Sequence, residues 1–328
     1  MELYKGDCME VLRALPARSV DLVLTDPPYN IGKDKTWDKI KNYQDWTAAW
    51  MTECARVLKD NGSMVFFHND MPQIAGIMER MREAGEFDFV SFCVWDKGKT
   101  YRRRSWAERR PDGKTAMRSW FNRCEYVLEY AKRGSGAKSA TGLARINSNP
   151  QCYKPLKEWY AAECARLGLT VKDIGRKYTE VTGRKPYMLR HYFCDSQFEI
   201  PTQATWESVY MPLGFAKPYE ALRQEYEALR YYHQCDAEHS NVWRRKNLEG
   251  CEKASGHPCE KPVDILERIV RVSCRPGGTV LDPFMGGGST GVAAWGENRE
   301  FIGIERDEHW FETARNRIAR ATKQTRLM

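Results

Sequence analysis

The sequence predicts an α/β fold in which helices cover both faces of a parallel sheet, with a mainly helical domain inserted into it. Two observations predict this class. Apolar strand segments alternate with helical segments in two separate parts of the chain, and the composition changes between those parts. The first part reads strand, helix, strand, helix, strand at Val20–Leu24, Tyr43–Leu58, Ser63–Phe67, Met71–Ala84 and Phe87–Trp95. The second reads helix, strand, helix, strand, helix at Val263–Cys274, Thr279–Leu281, a segment through Trp295, Phe301–Ile304 and Asp307–Arg320.

The domain boundaries are predicted from linker-like residues between these segments. Lys132 to Ser139 is small, polar and glycine-rich, which is typical of a linker. We therefore assign residues 1–132 and 256–328 to the sheet domain and residues 133–255 to the inserted domain. Within the sheet domain, Lys59-Asp60-Asn61-Gly62 predicts a turn.

The first candidate site follows the strand Val20–Leu24, which reads as buried and parallel. The chain continues with Thr25-Asp26-Pro27-Pro28-Tyr29-Asn30. Two consecutive prolines cannot continue a strand ladder, so the chain leaves the sheet at a stiff corner flanked by a carboxylate and an aromatic ring. Ligands of open α/β sheets bind at the carboxyl ends of the strands, where this corner is expected.

A second candidate lies before a short apolar helix, Met9–Leu15, in Gly6-Asp7-Cys8. Asp7 faces a ligand or caps the helix, and both roles are compatible. The third candidate is the glycine loop that follows the strand Thr279–Leu281 and begins at Asp282-Pro283-Phe284.

The glycine loop matches the dinucleotide fingerprint at Gly286, Gly288 and Gly291, with the acidic Glu305 following 19 residues after Gly286. Alone, this pattern favours a nicotinamide-dependent oxidoreductase. However, the carboxylate of Asp282 precedes the glycines and would repel a pyrophosphate. S-adenosylmethionine carries an ammonium and a sulfonium cation together with a ribose for Glu305, so the loop fits this cofactor better.

Basic residues concentrate between Lys97 and Arg118, a segment that contains nine basic residues and two acidic ones. Aromatic residues are interleaved with them, which favours contacts with the phosphates of nucleic acid over a merely solvated loop. The arginines assigned to DNA binding here are Arg102, Arg103, Arg104, Arg109 and Arg110. The alternating segment Arg123–Tyr130 then predicts an antiparallel edge strand.

The inserted domain has helical patterns at Leu156–Leu167, Val171–Thr179, Tyr187–Phe193 and Tyr219–Tyr232. Thr170 and Asp173 predict a capping box, Thr182-Gly183-Arg184 a turn, and Pro186 the first position of the next helix. This order is the outline of a helix-turn-helix, although a small packed bundle is the alternative. In the first case the DNA contacts would come from Arg184, Lys185, Arg190 and His191.

Composition narrows the class of protein. The 328 residues include 52 basic and 44 acidic ones, a formal charge of +8 that favours a polyanionic partner. Eleven cysteines without a C-x-x-C pair argue against a zinc site or a disulfide framework, and we expect no metal. No signal-peptide pattern and no apolar run of about 18 residues is visible, so we expect a cytoplasmic protein that does not enter a membrane.

Together these motifs resemble the amino-methylating DNA methyltransferases of the permuted beta group, in which the Asp-Pro-Pro-Tyr motif precedes the cofactor loop. The match covers roughly residues 4–130 and 256–320, and also includes His257-Pro258 with Lys261-Pro262. The resemblance implies a circularly permuted, Rossmann-like methyltransferase sheet, with a target-recognition domain at 133–255 that has a likeness to phage-type enzymes. It further implies double-stranded DNA as substrate, and it leaves a homodimer open because dimers are frequent in the family.

The resemblance also assigns roles. Asp26 and the Pro27 carbonyl would accept the amino hydrogens of a flipped adenine, Pro28 would stiffen the corner, and Tyr29 would stack on the base. The cofactor S-adenosyl-L-methionine would be held by Asp7 and Cys8, by Lys261, by Asp282, Pro283, Phe284, Gly286, Gly288, Ser289 and Thr290, and by Glu305. Within this set, Glu305 would bind the ribose, Asp7 the adenine end, and Ser289, Thr290 and Lys261 the carboxylate.

Three other classes of protein share part of this pattern. Cytosine-N4 enzymes share the fold, but by family analogy their motif more often begins with Ser, so Asp26 favours adenine. Protein glutamine methyltransferases place a similar motif after the cofactor loop, against the order seen here. An inactive DNA-binding regulator explains the basic segment but not an intact catalytic corner together with a cofactor loop.

Overall fold

The computed structural model describes residues 1–32, 37–98, 108–109, 115–116, 123–137, 151–194, 198–235, 240–248 and 252–325. The chain forms two compact units. The first comprises Met1–Lys59, Ser63–Tyr130 and His233–Met328, and the second comprises Asp60–Gly62 and Ala131–Tyr232.

The strands are β1 (Glu2–Lys5), β2 (Val20–Thr25), β3 (Leu58–His68), β4 (Phe87–Asp96), β5 (Glu108–Arg109), β6 (Thr115–Ala116), β7 (Cys124–Lys132), β8 (Val242–Arg244), β9 (Thr279–Asp282) and β10 (Glu300–Glu305). The helices are α1 (Cys8–Ala14), α2 (Tyr43–Val57), α3 (Met71–Ala84), α4 (Lys154–Leu167), α5 (Val171–Thr182), α6 (Gln203–Thr205), α7 (Tyr219–Leu229), α8 (Val263–Ser273), α9 (Ser289–Gly296) and α10 (Glu308–Thr325). A π turn, Trp206–Tyr210, continues α6, and 3₁₀ turns form at Gln151–Tyr153, Tyr187–Arg190 and Met211–Leu213.

The first unit is built on an eight-stranded sheet of order β1-β10-β9-β2-β3-β7-β4-β8, and β5 pairs with β6 separately. The pairs β1–β10, β10–β9, β9–β2, β2–β3 and β4–β8 are parallel. All six residues of β2 are buried, as the apolar run predicts. The sheet therefore places the end of β2 near its middle, beside the end of β9.

Helices cover both faces of this sheet, which confirms the predicted fold class. Side chains alternate along a strand, so Val23 packs into one core with α1, α2 and α3, while Leu22 and Leu24 pack into another. The second core includes Leu266 of α8 and Ala314 of α10.

Two local predictions for this unit were wrong. Residues 59–62 are not a turn before the strand but a bulge within β3, because Val20 pairs with Leu58 whereas Leu22 already pairs with Ser63. The segment predicted as an edge strand forms β7, which lies between β3 and β4. The edge position beyond β4 is taken by β8, whose three residues are too few and too exposed to give a strand pattern.

The predicted end of the inserted domain at residue 255 is also corrected. The second unit ends at Tyr232, and the chain from His233 onward clusters with the first unit. The cause is β8, since Val242, Trp243 and Arg244 extend the sheet beside Val94, Trp95 and Asp96. Strand β1, which the sequence reading missed, pairs with β10 at the opposite edge.

The second unit has an aromatic core of its own. Tyr160 stacks on Phe193 at 4.1 Å between ring centroids, and Tyr153 stacks on Phe198 at 4.3 Å. The capping box of α5 is confirmed, because the Thr170 hydroxyl accepts from the Asp173 N–H and the Asp173 carboxylate accepts from the Thr170 N–H.

The predicted helix-turn-helix does not form. The segment predicted as its second helix is a four-residue 3₁₀ turn, Tyr187–Arg190. Phe193 then adopts a positive φ of 53° and its N–H donates to the Glu199 carbonyl at 3.0 Å. A helix cannot pass through this left-handed residue, because its N–H is used outside the helical ladder.

Candidate active site

The Asp-Pro-Pro-Tyr corner lies directly after β2 and is tied down on both sides. The Tyr29 hydroxyl donates to Asp26 Oδ1 at 2.5 Å, and the Tyr43 hydroxyl of α2 donates to the Pro28 carbonyl at 2.7 Å. Asn30 has a positive φ of 56°, and its N–H donates to the buried carboxylate of Asp38 at 2.6 Å. The corner is therefore fixed by its hydrogen bonds as well as by its prolines.

His68, which sequence reasoning missed, supports this corner from the end of β3. Its ring stacks on Tyr29 at 4.6 Å between centroids. Its Nδ1 accepts from the Asp70 N–H at 3.1 Å, so the proton of the neutral ring is on Nε2, which lies 3.0 Å from the Tyr43 oxygen. Burial lowers the pKa of His68 to about 4, so the ring is neutral near pH 7. The sequence signal that could have identified His68 is its position at the end of β3, the strand that pairs with β2.

Lys261 approaches the same corner from the segment before α8. Its Nζ donates to Asp26 Oδ2 at 2.6 Å and to the Tyr29 oxygen at 3.2 Å, and it lies 3.3 Å from Glu125 Oε2. The role predicted for Lys261 at the cofactor carboxylate stays a prediction, and in this structure its ammonium lies against the Asp26 carboxylate while its side chain lines the same cavity. That role was inferred from the order of the motifs in the sequence, whereas the chain brings this segment back against the end of β2.

Opposing effects act on the Asp26 carboxyl. Burial raises its pKa above the ordinary range, and the Lys261 ammonium lowers it in part. Burial and the adjacent Asp26 charge raise the pKa of the Tyr29 phenol, so this hydroxyl keeps its proton and remains a donor.

One cavity of about 680 Å³ joins this corner to the cofactor loop. Sites that lie far apart in the sequence share its walls. They are Asp7 and Cys8, Asp26 to Tyr29, Pro283, Phe284 and Gly286, and Glu305. The corner that follows β2 and the loop that follows β9 therefore share one cavity.

Glu305 is fixed at the end of β10 on the wall of this cavity. Its Oε2 accepts from the Gly286 N–H at 2.9 Å and its Oε1 accepts from the Asp307 N–H at 2.8 Å. Burial raises the pKa of this carboxyl. Asp7 caps α1 by accepting from the Met9 N–H at 2.8 Å, and it also lines the cavity, while its role toward a ligand stays a prediction.

Asp282 does not line the cavity, contrary to the role predicted for it. Its carboxylate is buried and accepts from the Thr25 hydroxyl at 2.7 Å, the Thr290 hydroxyl at 2.6 Å and the Phe284 N–H at 3.1 Å. Burial raises its pKa to about 6. Asp282 therefore ties the ends of β2 and β9 to the start of α9.

Gly288, Ser289 and Thr290, all predicted to hold the cofactor, are likewise not among the residues that line this cavity. Thr290 is engaged with Asp282, and the Ser289 oxygen accepts from Arg317 at 3.0 Å. Gly288 packs on α10, where an added Cβ would lie 2.9 Å from that of Ala314. These three residues shape the turn, whereas Pro283, Phe284 and Gly286 of the same loop line the cavity.

The residues predicted to contact DNA are placed only in part. Arg102, Arg103, Arg104 and Arg110 lie outside the described residues, and Arg109 is described only through the backbone of β5. Arg184 and Lys185 are exposed after α5, while Arg190 and His191 belong to the 3₁₀ turn and its end. Within the described residues no cluster of three metal-ligating side chains occurs.

Comparisons with known proteins show the family of the chain. A family model for N6/N4 amino-methyltransferases, described as DNA methylase, matches residues 20–316, and the chain belongs to this family. The Type II methyltransferase M.BglII of Bacillus subtilis is 26% identical over 315 residues, which are 95% of this chain and 67% of that protein. The family resemblance of the sequence is confirmed, while the likeness to phage-type enzymes stays a prediction.

Two solved structures share the fold. The M1.HpyAVI–SAM complex is 20% identical with a TM-score of 0.52, and the alignment covers 97% of this chain and 98% of that one. The cytosine-N4-specific PvuII DNA methyltransferase is 15% identical with a TM-score of 0.55, covering 98% of this chain and 89% of that one. No helix in the described part of the chain is long and apolar enough to cross a membrane.

Proposed function

We propose that this DNA methyltransferase transfers the methyl group of S-adenosylmethionine to the N6 nitrogen of adenine in duplex DNA. The observation that carries the proposal is the single cavity that joins the Asp26 corner to Gly286 and Glu305. A methyl donor on one wall and an amino acceptor on the other would meet inside it.

The cavity fits the cofactor by its donor and acceptor set. Each Glu305 oxygen accepts one backbone N–H and keeps a second acceptor position for a ribose hydroxyl. Asp7 supplies a second carboxylate for the adenine end, and Phe284 and Gly286 complete the wall near the methionine part. When bound, the cofactor supplies an electrophilic methyl group on a sulfonium.

The corner can make adenine N6 more nucleophilic. The lone pair of this nitrogen is delocalised into the ring, so the enzyme must localise it on the nitrogen. Asp26 and the Pro27 carbonyl each accept one amino hydrogen, which draws the nitrogen toward the tetrahedral geometry needed for attack. Tyr29 offers a ring for stacking on a base that has been turned out of the duplex.

The choice of adenine rests on Asp26. By family analogy, cytosine-N4 enzymes more often begin this motif with Ser, whose single hydroxyl oxygen carries no charge. A carboxylate accepts more strongly from an amino group than a neutral hydroxyl does.

We assign target recognition to the second unit together with the basic segment that follows β4. Exposed Arg184 and Lys185 and the excess of positive charge between Lys97 and Arg118 support this assignment.

The test is methyl transfer from labelled S-adenosylmethionine to duplex DNA, followed by digestion and separation of the nucleosides. We expect label in N6-methyldeoxyadenosine, and a loss of kcat of about a hundredfold or more in Asp26→Ala because charge stabilisation in the reacting geometry is removed. Asp45→Ala is the matched control, since Asp45 lies exposed on α2 in a surface ion pair with Arg80.

Each other outcome would contradict a stated part of the proposal. Label in N4-methyldeoxycytidine would replace adenine by cytosine. Equal labelling by wild type and Asp26→Ala would remove the catalytic role of Asp26, and no labelling by wild type would favour a DNA-binding regulator.

A further inference from the structure

Four charged side chains of alternating sign form a row that begins at the reactive corner. Asp26 lies 2.6 Å from Lys261, Lys261 lies 3.3 Å from Glu125, and Glu125 lies 2.5 Å from Lys97. The row joins four separated parts of the chain: the end of β2, the segment before α8, β7 and the end of β4. Its formal charges sum to zero.

The two central members are enclosed. The side chains of Lys261 and Glu125 are each 8% exposed, against 21% for Asp26 and 20% for Lys97. The Lys261 ammonium also lies 5.2 Å from the ring centre of Phe67 and 5.4 Å from that of Tyr29. A buried ammonium with two carboxylates and two aromatic faces has little freedom to turn toward another group.

The catalytic role proposed for Asp26 requires an ionised carboxylate, because a protonated carboxyl loses acceptor capacity for the amino hydrogens. Apart from Lys261, the surroundings of Asp26 oppose ionisation, because the carboxyl is partly withdrawn from water and Glu125 repels its charge. Among the described residues, Tyr29, Tyr43, Asp38, Cys259, Asp282 and neutral His68 also lie around the corner, and none of these six brings a positive charge.

We propose that Lys261 is a positioning residue that keeps Asp26 ionised and fixed in direction, and that Glu125 and Lys97 hold Lys261 in place. The inference rests on the proposed function, in which Asp26 accepts the amino hydrogens. It gives Lys261 a role other than the cofactor contact that the sequence suggested.

Substitutions of Lys261 and Glu125 should shift the titration of Asp26 in opposite directions, because these two residues carry opposite charges. Lys261→Met leaves Asp26 and Glu125 without their shared cation, and Glu125 stays ionised because Lys97 pairs with it. Asp26 then takes up a proton more readily, and its titration should move to higher pH by about one to three units. Glu125→Gln removes the repelling charge and should move the titration to lower pH. The double variant restores a balanced row and should lie between the two single variants.

The experiment is a pH titration of the Asp26 carboxyl carbon by NMR in protein labelled at aspartate Cγ, with the resonance identified by its absence in Asp26→Asn. The pH dependence of kcat is measured on the same variants, and calorimetry gives their affinity for S-adenosylmethionine. Lys261→Arg should restore the wild-type titration. Lys172→Met, on the exposed face of α5, is the matched control for loss of a lysine.

Opposite shifts in the two single variants, with unchanged cofactor affinity and an acidic limb of kcat that follows the NMR titration, would support the inference. An unmoved Asp26 titration, or reduced cofactor affinity in Lys261→Met with no change at Asp26, would overturn it. If Lys261→Met fails to fold, Lys261→Gln takes its place, and an unmoved Asp26 titration in that variant would overturn the inference. The NMR titration needs no turnover, so its result stays separate from failure of the wild type to methylate DNA.

Discussion

Individual residues of the reactive corner are held by partners that come from other strands and helices. The Asp70 N–H donates to His68 Nδ1, the opposite side of that ring meets the Tyr43 oxygen, and the Tyr43 hydroxyl donates to the Pro28 carbonyl. This chain of hydrogen bonds requires a neutral His68. Protonation would place a donor on both ring nitrogens and break the contact with the Asp70 N–H.

The first prediction at this scale concerns pH and His68. Its pKa is about 4 in the folded protein and about 6.5 when unfolded, so the unfolded chain binds an extra proton between these values. The stabilisation is complete above about pH 6.5 and is lost as the pH falls toward 4. This amounts to about 3 kcal/mol in the free energy of unfolding.

Denaturant unfolding of wild type and His68→Gln across this range measures the effect. The stability advantage of wild type should shrink as the pH falls. Asp282 titrates in the opposite sense, because its pKa is raised to about 6, but it is present in both proteins and cancels in the difference. His309→Gln, at an exposed position on α10, is the control. Parallel stability curves for wild type and His68→Gln would refute the prediction.

At the scale of elements, the Asp282 carboxylate at the end of β9 joins three neighbouring segments. It accepts hydrogen bonds from the Thr25 hydroxyl at the end of β2, from the Thr290 hydroxyl at the start of α9 and from the Phe284 N–H in the loop between β9 and α9. Burying a carboxylate is costly unless donors replace water, and two hydroxyls and an amide do so here. The two candidate motifs are thereby locked to each other through a residue that does not line the cavity.

A prediction for the glycine loop separates backbone strain from packing. Gly288 precedes α9 with φ of 78°, and a Cβ there would lie 2.9 Å from the Ala314 Cβ and 3.0 Å from its Cα. Gly277 has a similar φ of 70° but nothing within 4 Å of an added Cβ. Gly277→Ala should cost about 1 kcal/mol through left-handed strain alone. Gly288→Ala should cost about 1 to 3 kcal/mol more, because α9 and α10 must separate.

Urea unfolding of the two alanine variants tests this difference. Equal losses of stability would mean that α10 shifts freely and that the close approach of Gly288 to Ala314 has no energetic weight.

At the scale of the whole molecule, the chain leaves and re-enters the first unit at neighbouring points. Oε2 of Glu129 in β7 lies 3.4 Å from Nε2 of His233. The intervening segment, Ala131–Tyr232, forms the compact second unit together with residues 60–62. An insertion between adjacent points can be exchanged without redesigning the sheet.

Replacing residues 132–231 by a short Gly-Ser linker should therefore leave S-adenosylmethionine binding intact while removing sequence preference. We expect discrimination between sites to fall by about a thousandfold or more. Calorimetry measures the cofactor affinity, and sequencing of modified bases in treated DNA measures the preference. Lost cofactor affinity in a folded variant would show a misplaced boundary, and retained preference would place recognition in the first unit.

Much of the fold was predictable because its signals are local. The buried run of β2, the amphipathic α2 and α3, and the capping box of α5 were each predicted within a few residues, since burial and capping leave periodic or fixed-spacing patterns. The Asp-Pro-Pro-Tyr corner and the glycine loop were likewise recognisable from their own residues.

The sequence by itself determined most of the longer elements, the parallel sheet and the family, because these depend on contiguous residues and on the order of motifs. Tertiary structure alone decided that Lys261 pairs with Asp26, 235 positions away, that Asp282 binds two threonines, and that β7 lies inside the sheet. The physical reason is that a side chain's partner is chosen where distant segments meet and lose water. No local pattern records which charges must then be neutralised together.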